Sequence, residues 1–410
     1  MAPAALAMNP LSLWPVAAVY VLVLATAWLL VRRVAPPSEN GRFATLDGLR
    51  GFLAFGVFIH HGAVWYFYVR TGTWEQPNSV LYANLGQDCV ALFFMITGFL
   101  FWTKLLDGRT RDFDWSRLYV SRVLRLTPLY VFTMVIGALL LAISMHFQLL
   151  EPARRLLVEA VRWMWFTILG TPPVNGSKES FVVIAGVTWT LPYEWLFYCA
   201  LPLAGPLVGV RTSWRWVAGA VLVTMGITHY LKPETVFLAA FAGGIFTAYL
   251  VRSTAFCACA RRPYAAVFAV AALGAAFFLF PSLSSSPALV LLTVAFAIIT
   301  AGNTLGGLLA WPASRLVGEI TYSVYLLHGL VLFSVFHFLI GPARAATYTA
   351  LEHWLVIFAC APLTVLICCG TFRWIEAPAM HRTAAVSRWL QRKRPGRAID
   401  KTAPAATLHR

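Results

Sequence analysis

The sequence predicts an all-α fold, a polytopic transmembrane helical bundle with about ten to eleven spans. Of its 410 residues, 60% are hydrophobic and 12% are charged, about half the charged fraction of a typical soluble domain. The mean hydropathy is +0.72, and apolar segments long enough to cross a bilayer recur along the chain. The formal net charge of +16 does not indicate a nucleic-acid partner, because such a protein displays its basic residues on a water-facing surface.

The predicted spans follow one another from the N-terminus almost to the end of the chain. Residues 1–42 are interpreted as an extra N-terminal transmembrane helix with a cytoplasmic loop, residues 43–380 as the membrane domain, and 381–410 as a basic, disordered cytoplasmic tail. The spans lie near residues 11–31, 46–66, 86–106, 118–143, 188–208, 214–231, 235–251, 263–281, 287–306, 319–341 and 351–372.

Residues 153–169 are amphipathic and are expected to lie in the membrane interface instead of crossing it. Arg154, Arg155, Glu159 and Arg162 alternate there with apolar and aromatic residues. This pattern is typical of a helix that buries one face among lipid headgroups.

The basic residues predict the orientation. If the N-terminus is outside, all but seven of the 32 Lys and Arg residues fall on the cytoplasmic side, as the positive-inside rule requires. The C-terminus is then cytoplasmic, and the expected location is the cell inner membrane. The seven exceptions are Arg70, Arg154, Arg155, Arg162, Lys178, Lys232 and Arg344.

The seven cysteines predict no metal site. They lie mostly in apolar segments, and their spacing matches no zinc, haem or redox pattern. No permanently bound cofactor is expected.

The second predicted span carries the first group of candidate functional residues. Arg50 and His61 are eleven residues apart, which places them about 20° apart around a helix and roughly 16 Å apart along it. His60 is turned away by about 80°. Asp47 lies one turn before Arg50 and can pair with it. Ionisable residues inside a span commonly face a cavity or one another, although an arginine that snorkels to the interface and solvated histidines would fit the same pattern.

A second group is the arginine-rich stretch that contains Arg117, Arg122 and Arg125. Arg122 and Arg125 share one helix face at the start of a span. One guanidinium group can donate two parallel hydrogen bonds to two phosphate oxygens. A cluster of arginines can therefore hold a polyphosphate. Ordinary topology signalling and binding of anionic lipids explain the same residues equally well.

Two further segments place polar residues near the membrane. The first contains Trp189, Glu194 and Tyr198, where the carboxylate could orient a histidine or bind sugar hydroxyls. The second places His328 near the middle of a span with Tyr325 one turn before it, which predicts a hydrogen-bonded pair. An aromatic belt accounts for the tryptophan and tyrosines, but it does not account for Glu194.

In this order, the segments resemble acyltransferase family 3, the integral-membrane O-acyltransferases that include O-antigen acetylases and antibiotic acylases. Any one match is weak, but six in register over about residues 43–380 make a strong resemblance. The matching runs are Asp47-Gly48-Leu49-Arg50 with His61, Leu92-Phe93-Phe94 with Thr97-Gly98-Phe99-Leu100, Arg122 and Arg125 with Pro128, Trp189-Thr190-Leu191 with Glu194 and Phe197-Tyr198, Gly318 to His328, and Ile375-Glu376-Ala377-Pro378.

The chain also departs from the family pattern. Ser121 stands where a paired arginine is expected, Ala91 replaces an acidic residue with Asp88 displaced upstream, and Trp195 replaces a second glutamate. The helix at 11–31 is additional, and the soluble C-terminal domain of many relatives is not found here. These differences concern mainly the residues expected to contact the acceptor.

The resemblance implies an acyl-CoA donor from the cytoplasm and a hydroxylated acceptor, usually a sugar of a cell-surface or exported glycan. The expected acyl group is acetyl, and the partners are acyl-CoA, the acceptor and the lipid bilayer. His61, Arg50 and Glu194 are the expected catalytic residues, with His61 as general base, although an acyl-histidine intermediate stays open. The expected donor-binding residues are Arg117, Arg122 and Arg125, and the acceptor or channel residues are Trp189, Tyr198, Tyr325 and His328.

Two alternative functions fit the same residues. One is an acyltransferase acting on a small molecule such as an antibiotic. The other is a transporter or flippase of glycan precursors, in which the polar groups line a path through the bilayer. The sequence has no internal repeat, which counts against the transporter.

Overall fold

The chain is helical throughout the part that the structure describes. The computed structural model describes residues 9–32, 43–110, 113–281 and 286–392. It is 81% helical, and the described residues form no strand, which confirms the predicted all-α fold.

The described residues contain eighteen α-helices. Their bounds are α1 Trp14–Val31, α2 Ala44–Thr71, α3 Val80–Asp107, α4 Trp115–Ser144, α5 Ala153–Met164, α6 Glu179–Val183, α7 Thr190–Ala204, α8 Trp214–Leu231, α9 Thr235–Leu250, α10 Thr254–Ala260, α11 Pro263–Leu279, α12 Ser286–Thr300, α13 Pro312–Glu319, α14 Thr321–Phe333, α15 Pro342–Thr347, α16 Ala350–Thr371, α17 Ala377–His381 and α18 Thr383–Arg392. Short 3₁₀ and π-helical turns join several of them, including a π-helical turn over Ser334–Ile340 that continues α14.

Six of the described helices are long and apolar enough to cross a membrane. They begin at Trp14, Ala44, Val80, Trp115, Thr321 and Ala350, and a seventh span results if α9 and α10, bent by 107°, are counted as one. The predicted number of ten to eleven is not confirmed. The segment predicted at 188–208, for example, is an α-helix only over Thr190–Ala204. Its 15 residues measure roughly 22 Å, less than the hydrocarbon core of a bilayer.

Helices α2, α3 and α14 form the centre of the bundle. Buried residues make up 72%, 78% and 67% of their most apolar windows, against 28% for α1. The segment predicted as an extra N-terminal span forms α1, which packs at the periphery. The loop predicted at 33–42 lies outside the described residues.

The central helices approach closely where glycines replace larger side chains. A Cβ atom on Gly318 would lie 1.7 Å from the carbonyl oxygen of Asp47, and one on Gly48 would lie 2.0 Å from the carbonyl oxygen of Leu309. Small residues allow such backbone contact between membrane helices. The glycines therefore hold the segment that precedes α14 against the first turns of α2.

The amphipathic segment at 153–169 is confirmed as a helix over Ala153–Met164, followed by turns. Leu157 and Val158 are exposed, whereas Glu159 is buried and accepts a hydrogen bond from the Asn175 amide at 3.0 Å. The Glu159 side chain of this helix therefore faces the protein, whereas the apolar side chains of Leu157 and Val158 are exposed on its surface.

The prediction of a disordered tail is wrong for residues 383–392. These residues form α18, which packs against α4 and buries Ser387. Val386 and Leu390 are partly buried beside Ser387, so this segment has an apolar face that the polar composition of the whole tail concealed. Residues 393–410 lie outside the described part of the chain.

Candidate active site

Two histidines from different helices meet in the interior of the bundle. His61 on α2 and His328 on α14 are both buried, and Nδ1 of His61 lies 3.0 Å from Nε2 of His328. The sequence singled out both residues but did not predict that they form a hydrogen bond. We refer to them as the histidine pair.

The hydrogen bonds of the histidine pair define its tautomers. Nδ1 of His328 lies 2.8 Å from the carbonyl oxygen of Val324, which can only accept, so this nitrogen carries the proton. Nε2 of a neutral His328 is then an acceptor, and His61 donates to it from Nδ1. With Nδ1 of His61 as the donor to His328, Nε2 is the nitrogen that can serve as a general base. The backbone carbonyls of Val57 and Ala185 also lie beside the His61 ring.

His60 has a separate, structural environment. Its Nδ1 donates to the carbonyl oxygen of Tyr82 at 2.7 Å, and its ring packs directly over Gly86. His60 therefore does not belong to the histidine pair, and the choice of His61 over His60 as the base stays a prediction.

A cavity with an empty volume of about 820 Å³, here called the central cavity, lies between α2, α3, α4, α7 and α14. Three arginines and one carboxylate line it, so its walls carry an excess of positive charge. Its polar and aromatic lining residues are Arg50, Phe93, Phe94, Thr97, Phe101, Arg122, Arg125, Thr190, Glu194, Tyr198, Thr321, Tyr322 and Tyr325.

Arg50 and Arg122 are held in the wall of the central cavity by local contacts. Arg50 forms an ion pair with Asp47 at 3.3 Å, as the sequence predicted. The guanidinium of Arg122 lies over the rings of Phe101 and Tyr198, at 5.0 and 6.0 Å from their centroids. Both side chains therefore retain hydrogen-bond donors that can face a ligand.

Glu194 belongs to the central cavity and not to the histidine pair. Its carboxylate accepts a hydrogen bond from Tyr198 at 2.7 Å, whereas the hydrogen bond of His61 goes to His328. Of the two predicted roles for Glu194, orientation of His61 has no contact behind it, and binding of sugar hydroxyls stays a prediction for a residue that lines the central cavity.

Tyr325 separates the central cavity from the histidine pair. The predicted hydrogen bond between Tyr325 and His328 is wrong, because the Tyr325 hydroxyl bonds to Thr190 at 2.9 Å and donates to the Val187 carbonyl at 3.0 Å. Its ring lies 6.4 Å from that of His328, and it lines the cavity. Trp189 packs instead against Tyr193 and Phe237, outside the cavity lining.

A second, wider cleft adjoins the central cavity at the end of the bundle where α2 and α4 begin, here called the basic end. Its volume is about 1310 Å³, and it shares Phe101, Arg122 and Arg125 with the central cavity. We call it the basic cleft. It is lined by Phe101, Lys104, Gly108, Phe113, Asp114, Arg117, Leu118, Ser121, Arg122, Arg125, Met380 and Thr383. The three predicted donor-binding arginines thus share one cleft.

Several residues near the site were not among the site residues predicted from the sequence. Lys104 and Met380 line the basic cleft. Glu376 is buried and accepts a hydrogen bond from Ser323 on α14. Trp74 stacks on His61, with ring centroids 6.0 Å apart. A carboxylate in an apolar segment was a usable signal for Glu376, whereas Trp74 lies in a loop that the helical pattern does not place.

The comparisons with known proteins bear on this arrangement. A family model described as an acyltransferase domain, that of acyltransferase family 3, matches residues 43–373. The chain belongs to this family. No match was found among curated proteins or among solved structures.

The family match indicates that the observed site belongs to a membrane acyltransferase. The histidine pair and the central cavity of this membrane acyltransferase lie wholly within the matched residues. Helices α1, α17 and α18 lie outside them. The basic cleft therefore combines residues within the matched range with Met380 and Thr383, which follow it.

Proposed function

We propose that this acyltransferase transfers an acyl group, most simply acetyl, from acyl-CoA to a sugar hydroxyl of a cell-surface or exported glycan. In this proposal, acyl-CoA enters from the cytoplasm at the basic end, and the acceptor reaches His61 from the opposite side of the inner membrane. The N-terminus is outside and the C-terminus inside.

The observation that carries the proposal is the order of three sites in the bundle: the basic cleft, then the central cavity, then the histidine pair. The basic cleft adjoins the central cavity through Phe101, Arg122 and Arg125, and Tyr325 stands between that cavity and His328. An acyl-CoA molecule has the same order, with phosphates at one end and a thioester at the end of a long, flexible arm.

The composition of the basic cleft suits the nucleotide end of such a donor. Lys104, Arg117, Arg122 and Arg125 can contact phosphate oxygens, with the bidentate geometry that guanidinium groups allow. Phe113 and Met380 provide apolar surface for an adenine ring. The same charges support the proposed orientation, because basic residues accumulate on the cytoplasmic side.

The histidine pair supports a general-base mechanism. In the proposed step, Nε2 of His61 removes the proton of the acceptor hydroxyl while the oxygen attacks the thioester carbonyl carbon. A carbon–oxygen bond forms and the carbon–sulfur bond then breaks. The leaving CoA sulfur takes the proton from His61, so the products are an O-acyl ester and free CoA, and His61 is neutral again.

Arg50 and Glu194 receive different roles in this proposal. The guanidinium of Arg50 lines the central cavity with Arg122 and Arg125, where it can hold the donor arm. Glu194 and Tyr198, joined by their hydrogen bond, add polar groups beside Arg122, whose guanidinium lies over the Tyr198 ring. His328 becomes a positioning residue for His61, instead of the acceptor contact that the sequence predicted.

The test is an acyl-transfer assay with the full-length protein in membrane vesicles. Acyl-CoA labelled in the acyl group is supplied together with surface glycan extracted from a strain that lacks the gene. We expect label in the glycan and one free CoA released for each acyl group transferred. Absence of both would overturn the proposal.

Three outcomes of this assay identify the alternatives. Label that appears only in an added small hydroxylated compound, such as an aminoglycoside, would indicate a small-molecule acyltransferase. Movement of glycan precursors across the vesicle membrane without release of CoA would indicate a transporter. Label that remains on the denatured protein when the acceptor is omitted would reveal an acyl-histidine intermediate in place of general-base catalysis.

A further inference from the structure

Aromatic side chains surround His61 on the side away from the central cavity. The ring of Trp74 is stacked on His61, with centroids 6.0 Å apart and planes at 20°. Trp65 and Tyr68 both meet Trp74 edge to face, at 5.6 and 5.3 Å. These three residues, which we call the aromatic cluster, lie where α2 ends, at the end of the bundle opposite the basic end.

The loop that follows α2 places Trp74 in this position. Gly72 ends the helix in the left-handed conformation, with φ of 71°, and its amide donates to the Tyr68 carbonyl at 2.8 Å. The next turn is fixed by Thr71, whose hydroxyl lies 2.9 Å from that of Thr73 and accepts from the Thr73 amide. The chain thus reverses within three residues, and Trp74 returns over the last turns of α2.

Polar groups adjoin the aromatic cluster. Glu179, at the start of α6, lies close enough to the Tyr68 hydroxyl for an electrostatic interaction. Its carboxylate is also 4.0 Å from Nδ1 of His337, whose ring stacks on Phe333. Both side chains are partly exposed, with 37% of the Glu179 side chain and 22% of the His337 side chain accessible. A ligand next to Trp74 can therefore reach a carboxylate and an imidazole.

The cluster also contains a hydrogen-bond donor without a partner. The indole Nε1 of Trp65 is buried, and none of the described residues accepts its hydrogen bond. A buried donor left unsatisfied costs about 1–3 kcal/mol.

We propose that Trp74, Tyr68 and Glu179, with His337, form the acceptor subsite, which binds one ring of a hydroxylated acceptor beside His61. The faces of a sugar ring carry C–H groups that pack on aromatic rings, and its hydroxyls donate to a carboxylate. An apolar aromatic wall with a few oriented polar groups is the usual composition of a small-ligand site. The inference rests on the proposed function, to which it adds the location of the acceptor.

This subsite differs from the one that the sequence predicted. Trp189 and Tyr198 were expected to bind the acceptor, but Trp189 packs away from the cavity and Tyr198 lies among the arginines. With the acceptor at Trp74 and the donor in the central cavity, the two substrates approach the histidine pair from opposite sides. The hydroxyl and the thioester can then meet at His61 without sharing an entrance.

The test measures the apparent KM for each substrate in Trp74→Ala and Glu179→Gln proteins. The acceptor is surface glycan extracted from a strain that lacks the gene, at varied concentration, and the donor is labelled acetyl-CoA. We expect the KM for the glycan to rise at least about tenfold in each variant, with the KM for acetyl-CoA changed less than about twofold. Trp74→Phe, which keeps an aromatic face, should recover part of the loss.

Trp165→Ala is the matched control, because Trp165 is 63% exposed and follows the interfacial helix α5. A general role of aromatic residues at the membrane interface predicts similar effects in both tryptophan variants, and that result would overturn the inference. So would a lower kcat with both KM values unchanged, which indicates a structural role. If the wild-type protein transfers no acetyl group to the extract, the proposed function itself fails.

Discussion

The two ends of the proposed reaction path, the basic cleft and the surroundings of His61, differ in the charge of their side chains. The basic cleft contains Lys104, Arg117, Arg122 and Arg125 within one lining. Around His61, by contrast, the neighbouring rings are the imidazoles of His60 and His328 and the indole of Trp74. The first region can attract an anion from a distance, whereas the second depends on one directed hydrogen bond. In the proposed reaction, the basic cleft therefore binds the donor, and the histidine pair in another part of the bundle transfers the proton.

This comparison predicts different kinetic signatures for the two regions. Loss of one of several cations should weaken donor binding and leave turnover largely intact. Loss of a member of the histidine pair should reduce turnover, because the remaining imidazole loses the hydrogen-bond partner that orients it. The predictions below test this division, beginning with the largest expected effect.

Replacement of His61 by Ala should reduce kcat for acyl transfer by about 10² to 10⁴-fold, the usual contribution of a general base. The measurement is incorporation of labelled acyl groups in membranes, normalised to the amount of folded protein. Wild-type activity should itself fall as the pH is lowered through the pKa of His61, because only the neutral imidazole accepts the proton.

His60→Ala is the control for this prediction. It removes the hydrogen bond to the Tyr82 carbonyl and the packing over Gly86, so it should lower the stability of the fold more than the rate. If His61→Ala turns over like the wild type, or if His60→Ala has the larger effect on kcat, the assignment of the base is wrong.

Replacement of His328 by Leu should reduce kcat by about 10²-fold with the KM values for both substrates unchanged, because His61 loses the acceptor that defines its tautomer. His328→Gln should retain more activity, since the amide oxygen can accept the same hydrogen bond. The pH profile separates this role from a merely structural one. It should shift in the Leu variant, and an unshifted profile with equal losses in both variants would contradict a positioning role.

Arg122→Ala should raise the KM for acyl-CoA by about 10- to 100-fold and change kcat much less, because a hydrogen bond to a charged group contributes about 1.5–3 kcal/mol. The control is Arg215→Ala, at an arginine that lies beside Trp214 outside the basic cleft. Equal KM values for acyl-CoA in the two variants would favour the interpretation that Arg122 only helps to set the membrane orientation and to bind anionic lipids.

Helical periodicity accounts for what the sequence could predict of the site. The shared face of Arg50 and His61, the ion pair of Arg50 with Asp47 and the grouping of the three arginines all follow from the geometry of single helices. The number of spans did not follow, because apolar composition does not reveal that α7 has only 15 residues.

Contacts between distant segments could not be predicted in the same way. The pairing of His61 with His328 joins residues 267 positions apart, and the hydrogen bond of Tyr325 to Thr190 joins residues 135 positions apart. Both depend on how α14 packs against α2 and against the segment before α7. Trp74 was missed because a loop residue has no periodicity, and its position follows from the left-handed turn at Gly72.

The smallest expected effect concerns the C-terminal segment, which distinguishes the basic end from the matched family region. Thr383 lines the basic cleft, and α18 packs against α4, the helix that carries Arg117, Arg122 and Arg125. A chain that ends after His381 should therefore show a KM for acyl-CoA raised about three- to tenfold, with kcat nearly unchanged.

A chain that ends after Arg392 is the matched control, because it retains α18 and removes only residues 393–410, which carry five of the basic residues. Its KM should equal that of the full-length protein. If both truncations raise the KM equally, the charge of the distal tail, and not the packing of α18, contributes to donor binding. If neither does, the cleft is formed without its C-terminal wall, and recognition of the donor at the basic end resides entirely in the arginines and Lys104.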